Sequence, residues 1–217
     1  MHETYNTPQE DEQLSDWEIF TRIWLSPRQV FRFINDFQYD KYVIILLFLG
    51  GMARAFDKAF ANNYGDTQDL SVIVLTCVVA GGLFGWLSYY IFARIISWTG
   101  QWIQGTGDSR SVLRMLSFAI LPSIVSLLIL LVQVAIFGVE IFKSPEEMST
   151  TLYSGWWSYS ISLVYVVLGC WTLVFFVIGN SEVQKVSIGK SILNLVIAAL
   201  MFLSPIILFA GLFALMS

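Results

Sequence analysis

Residues 70–93 read LSVIVLTCVVAGGLFGWLSYYIFA, without a Lys, Arg, Asp or Glu in the whole stretch. A bilayer core of about 30 Å is crossed by about 20 mostly apolar helical residues, so this run alone marks an integral membrane protein. Working outward from it, residues 115–139, 148–181 and 191–217 are equally free of those four residue types. Residues 42–56 form a shorter apolar run, broken by Arg54 near its end, where a long side chain can snorkel to the headgroups. Of 217 residues, 56% are hydrophobic and 13% charged, against about 25% charged in a soluble domain; the excess apolar surface belongs against lipid. The expected fold is all-α, a membrane bundle of five transmembrane helices at about residues 41–59, 69–98, 112–139, 154–179 and 189–216.

Lys and Arg between the spans set the orientation, because basic residues are retained on the cytoplasmic side. Nine fall on one side: Arg22, Arg28, Arg32, Lys41, Arg94, Arg110, Arg114, Lys185 and Lys190. Three fall on the other, Arg54, Lys58 and Lys143. The expectation is a cytoplasmic N-terminus and a C-terminus on the opposite side, and deleting the first span would invert everything after it. Residues 1–15 are acidic and polar, with Glu3, Glu10, Asp11 and Glu12, and read as a disordered tail rather than a signal peptide, having neither a basic nor an apolar region. That tail carries much of the net charge of −4, and nothing in the pattern calls for nucleic acid.

Residues 16–40 read as two short amphipathic cytoplasmic helices. Ser26 and Pro27 have the character of an N-cap and a first helical position. From there Arg28, Gln29, Arg32, Asn35 and Asp36 share one face, while Val30, Phe31, Phe33, Ile34 and Phe37 share the other. Upstream, Trp17, Phe20, Ile23 and Trp24 recur at helical spacing behind Ser15 and Asp16. The pair forms a collar, lying in the headgroup layer or packed beneath the bundle. Arg28, Arg32, Arg94, Arg110, Arg114 and Lys190 are candidate contacts for lipids or a protein partner, since guanidinium forks and ammonium groups suit anionic headgroups and carboxylates. Asp108 is the expected internal partner for Arg94 or Arg114. Gly81 and Gly85 make a small-xxx-small pair read as packing between helices of one chain in preference to a homo-oligomer. Pro122 and Pro205 lie within apolar runs and are expected to kink their helices. Trp86, Trp98, Trp102, Trp156 and Trp157 lie toward span ends, as interfacial aromatic residues do.

Catalytic chemistry is thin. The only histidine is His2, which removes His-assisted nucleophiles and His-based metal or haem ligation from the membrane body. Asp57, Asp69 and Glu140 stand at span ends and form no intramembrane pair. Gly189-Lys190-Ser191 lacks the glycine of a P-loop, with Gln184 in its place. Cys77 and Cys170 fall inside spans and suggest neither disulfide nor metal. Mid-span polarity is limited to Ser, Thr, Asn194 and Gln133, which leaves a transporter or channel for a small or lipidic solute as the rival reading, with kinks at Pro122 and Pro205 framing a cavity. No enzyme and no cofactor are expected.

Three segments together resemble the Yip family, multispan membrane proteins named for interaction with Ypt/Rab GTPases. They are Ser26-Pro27-Arg28-Gln29-Val30-Phe31 before the first span; Ser109-Arg110-Ser111-Val112-Leu113-Arg114 followed by Phe118-Ala119-Ile120-Leu121-Pro122, with Ser117-Phe118 where the family has Gly-Tyr; and Trp171, a short loop over residues 179–187 with Glu182 and Gln184, then Gly189-Lys190. The likeness covers residue 17 to the end and implies a five-span bundle with a cytoplasmic N-terminus. It also implies a role in membrane trafficking, although the Asp-Leu-Tyr-Gly-Pro motif of eukaryotic members is missing, which argues against GTPase binding. The brief N-terminal region looks more like the bacterial branch, and so implies the bacterial inner membrane. The expected function is non-enzymatic: organising membrane or recruiting a partner at the cytoplasmic face.

Overall fold

The computed structural model describes residues 14–147 and 156–216, with the side chains of residues 156–158 and 206–216 left aside. The acidic tail up to residue 13 and the side chains of Trp156 and Trp157 therefore lie outside the described residues. Helices α1 (Asp16–Arg22) and α2 (Pro27–Asp36) come first, then α3 (Val43–Ala61). Next are α4 (Leu70–Thr76), a π-helical turn (Cys77–Gly81) and α5 (Gly82–Trp102), followed by α6 (Ser109–Ala119) and α7 (Leu121–Phe137). Helices α8 (Trp156–Gln184) and α9 (Ile188–Met216) complete the chain, and no strand occurs among the described residues.

Four helical stretches are long and apolar enough to cross a membrane: Leu70–Trp102, Ser109–Phe142, Tyr159–Gln184 and Ile188–Pro205. The fifth expected span forms α3, whose 19 residues reach about 28 Å at about 1.5 Å per residue. It stands apart from the four because Arg54, Asp57 and Lys58 crowd its last turns. It packs along α5 and the π turn on one side and against α6 and α7 on the other. Leu75, Val79, Leu83, Phe84, Leu163, Val166, Val196 and Leu200 point outward, an apolar belt that lipid satisfies and water would not.

The α3–α5 crossing is close because it is made of glycine. A Cβ on Gly85 would fall on the backbone of Gly51, and one on Gly81 would meet Ala55 at 2.5 Å and the Gly51 carbonyl at 3.1 Å. The two prolines behave differently. Pro122 occupies the first turn of α7, where a missing N–H leaves no gap in the ladder, and the break falls at Ile120 between α6 and α7. Pro205 lies inside an unbroken α9. The Met201 carbonyl, which Pro205 cannot serve, accepts instead from the Ser204 hydroxyl at 2.9 Å, a local repair that lets a membrane helix run through proline.

Two apolar cores divide the molecule. One gathers Ile19, Ile23, Val30, Phe31 and Ile34 of the N-terminal segment with Met115, Leu116, Phe118 and Phe175 of the bundle. The other, at the far end, holds Ala53, Phe56, Ile73, Cys77, Leu127 and Phe142. The apolar face of α2 is thus covered by α6 and α8, with Phe31 set edge-on to Phe175 at a centroid distance of 6.0 Å. In α1 the buried residue is Ile19, followed by Ile23, while Trp17, expected on that face, is 76% exposed.

Candidate functional site: the collar face

One end of the bundle is closed by charge. Ser15 caps α1 in a reciprocal capping box with Glu18, which fixes Asp16 on the first turn. There its carboxylate accepts from Lys41, from the Tyr39 hydroxyl at 2.5 Å and from the Tyr42 hydroxyl at 2.7 Å. Hydrogen bonds from Lys41, Tyr39 and Tyr42 hold the Asp16 carboxyl down at about 2. The same contact raises the Lys41 ammonium, and burial together with Asp16 pushes the Tyr39 phenol up. This clasp ties α1 to the entry of α3.

A second clasp joins the α2–α3 link to α6. Arg114 Nε donates to Asp40 Oδ1 at 2.7 Å and Arg110 Nη2 to Oδ2 at 3.1 Å, and Arg114 followed by Arg110 keeps the Asp40 carboxyl below its ordinary range. The two arginines differ in kind: the Arg114 side chain is 3% exposed and that of Arg110 77%. Arg114 is set apart from the other candidate lipid contacts by that burial, and its Nη1 has no hydrogen-bond partner. Asp108, expected to pair with Arg94 or Arg114, caps α6 instead by accepting from Ser111 N at 3.1 Å.

The third clasp joins α2 to the end of α8. Arg28 Nε lies 2.8 Å from Glu182 Oε1 and Arg32 Nε 3.3 Å from Oε2. Beside them opens a groove of about 390 Å³ lined by Arg28, Arg32, Asn35, Asp36, Glu182 and Lys185. The loop expected over residues 179–187 is shorter than the sequence suggested. Helix α8 continues through Gln184, and only residues 185–187 link it to α9. The Ser181 hydroxyl bonds the Val186 carbonyl at 2.6 Å and closes the turn, while Lys185 takes a left-handed backbone with φ of 54°.

Under the clasps lies a buried polar knot. Gln184 is fully buried; its Oε1 accepts from Gly107 N at 3.0 Å, and its backbone carbonyl accepts from Thr106 N at 3.1 Å. Gly100 and Gly107 stand so near that a Cβ on either would meet the Gln184 amide at 2.5–3.1 Å, so these glycines make room for it. Thr99 Oγ1 donates to Asn194 Oδ1 at 2.6 Å, Asn194 Nδ2 to the Ile96 carbonyl at 3.3 Å, and Asn180 Nδ2 to Ser191 Oγ at 3.1 Å. This knot welds the end of α5 to the α8–α9 hairpin. Lys190 reaches the Ile103 carbonyl at 3.3 Å. Arg94 lies apart from the clasps, stacked on Tyr90 of its own helix at 5.2 Å.

These parts, from the Pro-Arg helix through the glycine-containing loop to Gly189-Lys190, are the ones on which the sequence resembles one family. Its model, the Yip1 domain, matches residues 21–213. The chain belongs to the Yip1 domain family. The matched region of this Yip1 domain starts within α1 and ends within α9, so it takes in α2 and every helix after it. It does not divide the family into branches, and nothing places the chain in the bacterial one. No curated protein and no solved structure matches the chain.

Proposed function

We propose that this Yip1 domain protein is non-enzymatic and that its membrane bundle displays the collar face to the cytoplasm, where it organises membrane or recruits a protein partner. The observation that carries the reading is the docking of α1 and α2 by three charged clasps onto one end of the bundle, the end where most of the basic residues lie. Basic residues mark the cytoplasmic side, and a surface fixed by Asp16, Asp40 and Glu182 presents its groups with little left to order on binding. In this reading α3 crosses the membrane as a fifth span, its charged turns emerging on the far side.

The transporter reading draws on polar side chains within the spans, and each of those is taken up internally. Gln133 accepts from the Tyr165 hydroxyl at 2.6 Å, Ser126 bonds the Pro122 carbonyl at 3.2 Å and Asn194 joins the knot.

Cysteine accessibility tests the arrangement. With Cys77 and Cys170 replaced by serine, single cysteines at Asn62 and Gln104 are challenged with a membrane-impermeant maleimide on intact cells and on inverted vesicles. Five spans with a cytoplasmic N-terminus label Asn62→Cys from outside and Gln104→Cys from inside, together with a third single cysteine ahead of α3, Leu25→Cys, from inside; Leu25→Cys and Asn62→Cys labelling from the same side would sink the five-span reading. A photoreactive residue at Trp17 or Arg32 in native membranes then reports a partner. Adducts identical to those from a residue in the lipid-facing belt would remove the recruiting role.

A further inference from the structure

We propose that the groove between α2 and the end of α8 binds the phosphate of an anionic lipid headgroup. Three cations meet there, Arg28, Arg32 and Lys185, against two acids, Asp36 and Glu182. The Glu182 carboxylate is engaged through Nε of each arginine, which orients both guanidinium planes and leaves their Nη groups without a protein partner among the described residues. Two free forks side by side suit a phosphate, which accepts paired N–H donors in a plane. The arginine side chains are 57% and 64% exposed, so an incoming oxygen meets them without unpacking the core. Lys185 has no acid within ion-pair distance among the described residues, and its left-handed backbone places it at the lip of the groove, where it offsets the negative end of α8. A cavity of about 390 Å³ falls within the roughly 300–1,000 Å³ of small-molecule sites.

The source of the phosphate is a lipid rather than a soluble ester because of the apolar side chains that the collar leaves exposed. Leu25, just before α2, is 90% exposed, Phe37, just after it, 45%, and Trp17 on α1 76%. Apolar side chains bracketing a basic helix are the pattern of a segment at the headgroup boundary. The groove would then receive the headgroup while these three enter the acyl region.

This inference rests on the collar face lying at a membrane surface, the reading proposed above, and the two fail separately. Nanodiscs expose both faces, so lipid binding there is blind to orientation, which cysteine labelling reads. The full-length protein is reconstituted in phosphatidylcholine nanodiscs with and without phosphatidic acid, and bound lipid is titrated by native mass spectrometry. Phosphatidic acid is expected to be retained over phosphatidylcholine. A basic residue at an anionic surface is worth about 1 kcal/mol, so the Arg28→Gln/Arg32→Gln variant is expected to lose affinity roughly 30-fold, while Lys58→Gln, on the last turns of α3 at the other end of the bundle, keeps it. Equal affinity in the groove variant and the wild type would overturn the site. Complete displacement by millimolar inorganic phosphate would overturn the lipid as source. Should the double variant fail to fold, Glu182→Gln decides: removing the competing carboxylate is expected to tighten phosphatidic acid binding, and unchanged or weaker binding overturns the proposal.

Discussion

Asp40 and Arg114 form one ion pair, yet removing the one and removing the other should have unequal consequences. The Asp40 side chain is 43% exposed and that of Arg114 3%. Replacing Asp40 by alanine strands a buried guanidinium whose Nη1 already has no partner, and stranding one member of a buried pair costs about 3–5 kcal/mol. Because Asp40 sits at the surface and Arg110 can relax into water, the lower figure applies, about 3 kcal/mol. For a chain of this size about 2–4 °C of melting temperature accompanies each kcal/mol, which places Asp40→Ala about 6–12 °C below the wild type. Arg114→Met removes the buried charge together with its cost and frees Asp40 to hydrate; replacing buried ions by apolar groups is often neutral or stabilising. It should therefore melt within about 3 °C of the wild type, and the double variant should recover most of what Asp40→Ala loses. Thermal unfolding in detergent, followed by tryptophan fluorescence, gives all four values. Equal losses from the two single variants would refute the reasoning, since it depends wholly on the difference in burial. The pH dependence has a definite sign. Arg114 and Arg110 depress the folded Asp40 carboxyl, so the clasp stabilises above the unfolded value of about 3.9 and its contribution disappears as pH falls through the lower folded value.

Gly85→Ala puts a methyl into the Gly51 backbone and should cost at least the roughly 1–3 kcal/mol of overpacking. Gly169→Ala, where nothing lies within 4 Å, should gain up to about 1 kcal/mol; matched thermal melts compare them. Gln184→Ala strands Gly107 N and should cost about 1–3 kcal/mol, with faster amide exchange at residues 105–107 as the local readout. Acidification should release α1 separately from the rest. The Asp16 clasp holds its carboxyl down at about 2, so its contribution is complete above about 3.9 and fades only toward pH 2. Fluorescence of Trp24, packed on Phe175 at 5.8 Å, should stay constant to about pH 4 and shift below it; a shift centred near pH 6 would point to another group.

The spans were readable because lipid imposes a demand on every residue of a crossing helix, and residues 70–93 meet it in plain view. The collar was readable as faces but not as contacts. Periodicity separates Arg28 and Arg32 from Phe31 and Ile34, yet whether membrane or protein covers the apolar side depends on Phe175, far along the chain. Helical spacing points Trp17 to the same inner face as Ile23, yet Ile19 fills that space beside Ile23 and Trp17 is exposed. Pairing of charge was the least legible feature. Asp40 carries no signal in the sequence, and Asp108, expected as the partner of Arg94 or Arg114, caps α6 instead. The knot leaves one trace in the sequence, Gly100, Gly105 and Gly107 close together, and their role is to leave space for Gln184.

That knot also orders events in time. Its partners, residues 96–107 and 180–194, are separated by two membrane passages, so a chain emerging from the ribosome holds the amide of Gly107 uncommitted until the α8–α9 hairpin arrives. Anything that delays α9 leaves a half-built, water-seeking cleft at the membrane surface. Helix α9 is thus the element that completes the knot, and a truncation before Ile188 should be recognised by quality-control proteases even though the long apolar helices ahead of it can stay in the bilayer.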